Sequence, residues 1–143
     1  MAINFFNEEI DFKLNHKAKL KTWIKNTVEE EGFKLKDVNF ILCSDDYLLE
    51  INKQYLNHNT YTDIVTFDNS EKEDQIVGDI FISVDRTNEN ASKFGVSGDT
   101  ELHRVIVHGI LHLCGYYDKK PEDKALMTEK ENYYLSKFKS LGS

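Results

Sequence analysis

The sequence predicts an α+β domain, a small mixed sheet of about four strands packed with about five helices. Three observations carry that expectation. Four short β-rich runs alternate with two helical patterns up to Val84, the pattern turns helical after Asp85, and the polar loop NSEKEDQ separates two runs in the manner of antiparallel neighbours. No repeat, low-complexity tract or Pro/Gly-rich linker interrupts the chain, so its 143 residues read as one domain, 1–143.

A first short strand is expected over Ile3 to Phe6. Asn15 is then placed to cap a helix whose Leu20, Trp23, Ile24, Thr27 and Val28 recur at helical spacing, and Gly32 stops it. Val38 to Cys43 reads as a buried strand, and Ser44 as the N-cap of a helix through Leu48, Ile51 and Tyr55. Ile64 to Phe67 and Val77 to Val84 supply the other strands. A helix from Arg86 to Phe94 ends at Gly95. The next starts near Asp99 or Thr100 and runs to about Cys114, with Gly115 just beyond its end. Pro121 suits the first position of a last helix carrying Leu126, Met127, Tyr133, Tyr134 and Phe138.

Composition narrows the function classes. With 40% apolar and 30% charged residues the chain reads as ordinary globular protein, and no apolar run approaches a membrane span. The N-terminus MAINFFNEEID has neither a basic nor an apolar leader region, and the two thiols Cys43 and Cys114 suit a reducing cytosol. A cytoplasmic location is therefore expected. The net charge of −7 disfavours non-specific binding to nucleic acid, yet Lys13, Lys17, Lys19, Lys21 and Lys25 cluster early. Charge alone neither demands nor excludes an RNA partner.

Chemistry concentrates in HGILHLCGYYD, His108 to Asp118. The helix around it is apolar nearly all round, through Leu102, Val105, Ile106, Val107, Ile110, Leu111 and Leu113, so it is expected to be buried. His108 and His112 lie four apart, one turn apart on one face, where two imidazoles can share a metal ion or serve as core residues bonded to backbone. Gly109 costs roughly 1 kcal/mol against alanine in a helix interior, which makes sense if something must approach the backbone closely. Gly115 lets the chain reverse, so that Asp118 can return as a third ligand, an oxygen donor. Two histidines and a carboxylate leave coordination positions open, as catalytic sites require.

The motif lacks the glutamate of zinc peptidases, because Gly109 stands in its place. A peptidase needs a carboxylate there to accept a proton from water and pass it to the leaving amine. Phosphodiester chemistry asks less of the protein. The next candidate base is Glu101, two turns before His108 and about 20° from it around the helix. A structural ion pair between Glu101 and Arg104 is the somewhat favoured use of that residue.

HGILHLCGYYD resembles the signature H-G-x-L-H-L-x-G-Y-D-H of the YbeY family, single-strand-specific metal-dependent endoribonucleases. The blocks INKQYLN, YTDIVTF (Tyr61 to Phe67) and GDIFIS (Gly78 to Ser83) resemble further family blocks in the same order. The resemblance implies that His108 and His112 are zinc ligands, with Asp118 at the position of the family's third histidine. One zinc ion (Zn2+) is the expected cofactor; a carboxylate there makes the ion less Lewis-acidic and also opens the site to harder ions such as manganese (Mn2+). A second departure is Leu56, where the family carries an arginine important for activity. His58, Arg86 or Arg104 would have to hold phosphate instead. The resemblance further implies a cytoplasmic protein that matures the 3′ end of 16S rRNA on the small ribosomal subunit and acts in ribosome quality control, with no membrane or DNA partner. Two other classes remain: a ribosome-assembly factor whose metal is structural, which Leu56 and the net charge of −7 favour, and a metallopeptidase, which Gly109 disfavours.

Overall fold

The computed structural model describes residues 2–141. Its order is β1 (Ala2–Glu8), α1 (Lys17–Glu30), β2 (Lys34–Cys43), α2 (Asp45–Leu56), β3 (Ile64–Asp68), β4 (Gln75–Ser83), α3 (Val84–Phe94), α4 (Gly98–Leu113) and α5 (Pro121–Ser140). The four strands form one sheet in the order β1-β2-β4-β3. β1 and β4 run parallel to β2, whereas β3 runs antiparallel to β4 across the polar loop. The α+β architecture is thus as the residue patterns imply.

Alternation along the strands divides the sheet between two apolar layers. Val38, Phe40 and Leu42 on β2, with Ile80 and Ile82 on β4, face the main core of Trp23, Ile106, Ile110 and Leu111. Cys43, Val65 and the neighbouring Phe67 and Phe81 face α2 through Leu48. α4 therefore lies on one face of the sheet and α2 on the other. The Trp23 indole donates to the Tyr134 carbonyl at 2.7 Å, tying α1 to α5 behind α4.

Helix boundaries follow their caps, and two expectations need correction. α1 is not capped by Asn15. His16 occupies the cap position with φ 62°, and no side chain caps the first turn. A left-handed residue there replaces the extended conformation that aims a capping side chain at the first N–H groups. α4 starts earlier than Asp99, because extended Ser97 accepts from the Thr100 N–H and leaves Asp99 and Glu101 in the first turn. Ser44 caps α2 and Pro121 opens α5 as expected.

Gly109 explains how closely α4 sits on the sheet. A Cβ at this position would lie 3.0 Å from Ile64 Cδ1 and 3.1 Å from both Cδ1 and Cγ2 of Ile80. What approaches the backbone is the sheet itself.

Candidate metal centre

Because α4 turns by about 100° per residue, Glu101, Arg104, His108 and His112 fall along one stripe of it. That stripe lines a cleft of about 640 Å³ together with Thr62, Asp63, Ile64 and Thr66 from the β3 edge, Asp118 and Lys119 from the following loop, and Glu131 from α5. The opposite side of α4 carries Leu102, Ile106 and Ile110 into the core. Burial of one stripe thus fixes the direction of the other.

The chain after α4 is brought back by its C-terminal turn. Gly115 has φ 104°, its N–H bonds the His112 carbonyl, and the Tyr116 N–H bonds the Leu111 carbonyl. This is a Schellman closure, in which a left-handed glycine spares a side chain the strain of that conformation. The Tyr116 hydroxyl then donates to Glu31 Oε1 at 2.6 Å, and Glu31 also receives Lys130 and the Tyr134 hydroxyl. Burial alone would raise the Glu31 pKa, but these donors hold it below the ordinary value. The turn is pinned to α1 and α5, and Asp118 is held over α4.

There His108, His112 and Asp118 converge, with one donor atom from each lying within 4.8 Å of the others. His108 Nε2 is 3.0 Å and His112 Nε2 3.6 Å from Asp118 Oδ2. Zinc bound tetrahedrally at about 2.0–2.2 Å separates adjacent donors by about 3.3 Å, which these distances bracket. Two nitrogens and one oxygen are a zinc-type donor set with room for a further ligand, so the residues fit a catalytic ion.

Electrostatics point the same way. Asp63, Asp68, Glu101, Asp118 and Glu131 line the cleft against the cations Arg104 and Lys119, so it attracts a cation before it can attract phosphate. Burial lowers the His112 pKa despite Asp118, which keeps its ring neutral and ready to ligate. For His108, burial pulls the pKa down, but the hydrogen bond and charge of Glu131, with Asp118 behind them, raise it overall. Burial likewise raises the carboxyl pKa values of Asp63 and Glu101.

Of the other expected site residues, Glu101 is 5% exposed and lines the cleft, and its carboxylate has no hydrogen-bond partner among the described residues. Arg104 also lines the cleft, but it pairs with Glu131 at 3.0 Å and Asn132 at 2.7 Å, not with Glu101. His58 follows α2 on the exposed surface and is not a cleft residue. Arg86 is held by Asp45 at 2.7 Å, beside Glu89, and does not line the cleft. Leu56, where the resemblance led an arginine to be expected, does line the cleft. Three cleft carboxylates lack a local signature in the sequence. Asp63 sits inside YTDIVTF, Asp68 directly follows it, and Glu131 is one carboxylate among several on a polar helix.

The comparisons with known proteins place the chain in a family. The family model described as Endoribonuclease YbeY matches residues 2–139. Proteins named Endoribonuclease YbeY include one from Cytophaga hutchinsonii, 46% identical over 135 residues, covering 94% of each chain. Another from Flavobacterium psychrophilum is 47% identical over 133 residues, with 93% of this chain and 94% of the relative covered. A third, from Bacteroides thetaiotaomicron, is 46% identical over 136 residues, covering 95% and 98%. A solution structure of a Thermotoga maritima protein is similar with a TM-score of 0.66 at 29% identity, covering 96% of this chain and 89% of that one.

Proposed function

Since this chain belongs to the YbeY family of endoribonucleases, we propose that its single domain cleaves single-stranded RNA at a divalent ion held by His108, His112 and Asp118. The chain is accordingly a hydrolase of RNA phosphodiesters. The observation that carries the site assignment is the convergence of both Nε2 atoms on Asp118 Oδ2 in an acidic cleft. The substrate in this reading is ribosomal RNA of the small subunit, matured at its 3′ end in the cytoplasm, with a part in ribosome quality control. Among the described residues, no helix is long and apolar enough to cross a membrane. Zinc is the ion that the donor set favours, and Asp118 also admits manganese.

When bound, such an ion supplies Lewis acidity for the phosphoryl group and for water. The protein supplies the rest. Glu101 is the proposed proton acceptor: it is buried at the cleft wall, its carboxylate has no partner among the described residues, and burial raises its proton affinity above that of an ordinary carboxylate. Arg104 faces the same cleft with two nitrogens anchored, and is the proposed group that orients the scissile phosphate. Position 109 points into the sheet, so a peptidase-type base could not reach the cleft from there.

The test is elemental analysis and cleavage of a labelled single-stranded RNA by His108→Ala and His112→Ala. Both variants are expected to lose metal and activity together. Cleavage that survives chelation and both substitutions overturns the reading. A second reading, a ribosome-assembly factor with a structural ion, is favoured by Leu56 in the cleft. It would be established by a variant that binds metal without cleaving and still restores ribosome maturation in a deletion strain.

A further inference from the structure

We propose that Glu131 is the positioning residue of the metal centre, fixing the proton of His108 on Nδ1 so that Nε2 is free to ligate. This inference rests on His108 being a ligand, as assigned above. Glu131 is 7% exposed, and each of its oxygens has one partner. Oε2 lies 2.6 Å from His108 Nδ1, and Oε1 receives Arg104 Nη1 at 3.0 Å. An ionised carboxylate only accepts hydrogen bonds, so contact with Oε2 requires the proton on Nδ1. The lone pair of a neutral ring then sits on Nε2, the atom that faces Asp118. The short, charge-assisted bond also makes the imidazole a better donor to a cation.

The carboxylate is itself held in place. Arg104 is anchored by Asn132 at 2.7 Å, so its guanidinium fixes Oε1 and leaves Oε2 one direction. Glu131 lies one turn before Tyr134 on α5, and Tyr134 is locked by the Trp23 indole on its carbonyl and by Glu31 on its hydroxyl. A ligand geometry built on packed helices keeps its angle where a loop carboxylate would not. An Arg104–Glu131 ion pair that merely joined α4 to α5 would account for one oxygen only.

The two roles separate experimentally. Glu131→Gln keeps the volume, but the amide satisfies only one partner. With its oxygen towards His108, its N–H groups oppose the Arg104 guanidinium; reversed, they drive the proton onto Nε2. Zinc affinity, measured by competition with a chromophoric chelator, is expected to fall about 10- to 100-fold in Glu131→Gln and in Glu131→Ala. The visible bands of the cobalt-substituted protein are expected to shift in both. Glu131→Gln alone decides if Glu131→Ala fails to fold. If Glu131→Gln binds zinc within about twofold of the parent with an unchanged cobalt spectrum, while His108→Ala has lost zinc, the inference falls and the ligand assignment stands. If His108→Ala retains zinc, the ligand assignment falls first.

Discussion

Replacing Gly109 by alanine pits helix propensity against packing, and the structure decides which wins. Alanine gains about 1 kcal/mol over glycine in a helix interior. Its methyl would sit 3.0–3.1 Å from three side-chain carbons, well inside the optimum of about 3.5–4.0 Å for carbon pairs. Ile64 is half-buried and can swing its Cδ1 aside, but Ile80 is fully buried and two of its carbons are in the way. Overpacking of that kind costs about 1–3 kcal/mol. Taking its upper half against the propensity gain, the metal-free variant is expected to lose about 1–2 kcal/mol. For a chain of this size, each kcal/mol lowers Tm by about 3 °C, read by thermal unfolding in chelator. A double-mutant cycle sharpens the test. Ile80→Val alone should cost about 0.5–1.5 kcal/mol, but in the Gly109→Ala background it should cost less, because the clashing Cδ1 is gone. A Gly109→Ala protein as stable as its parent, or strict additivity in the cycle, would refute the packing account.

Other perturbations act at separate places. His103 is buried between Trp23 and Phe138, and burial lowers its pKa to about 4. The unfolded ring, near 6.5, then binds its proton first, so stability is full above about pH 6.5 and is lost as pH falls towards 4. The loss by pH 5 is about 2 kcal/mol, and urea unfolding of His103→Gln at pH 7 and pH 5 should show that part of the slope removed. Leu56→Arg places a guanidinium in the cleft wall at 41% exposure. It should raise kcat/KM on single-stranded RNA several-fold at unchanged zinc content; no gain, in steady-state cleavage assays, would show that Arg104 and Lys119 already fill that need.

Much of this architecture can be read from local chemistry. Ser44, Gly32, Gly95 and Pro121 punctuate the helices because each satisfies a demand confined to a few residues. His108 and His112 meet by helical periodicity, and the Gly115 closure carries Asp118 to within 3.0 and 3.6 Å of their rings. What the sequence conceals is the choice among partners far along the chain. An Arg104–Glu101 pair is sterically available at that spacing, yet Arg104 reaches across to Glu131 and Asn132, and the Glu101 carboxylate at the cleft wall is left without a partner among the described residues. No periodicity on α5 announces which of its carboxylates will meet α4. Ser97, Asp99 and Thr100 are all good capping residues, so only the extended backbone of Ser97 reveals the helix start.

The missing glutamate of the motif has the same kind of explanation. A side chain after the first histidine would be directed at Ile64 and Ile80, so a carboxylate there would be buried against apolar carbons without a partner, at a cost of several kcal/mol. Close packing of α4 on the sheet and a base at that position exclude one another. Any proton acceptor for this cleft must then come from another turn of α4 or another element, and Glu101, with Asp63 across from it on the β3 edge, meets that condition.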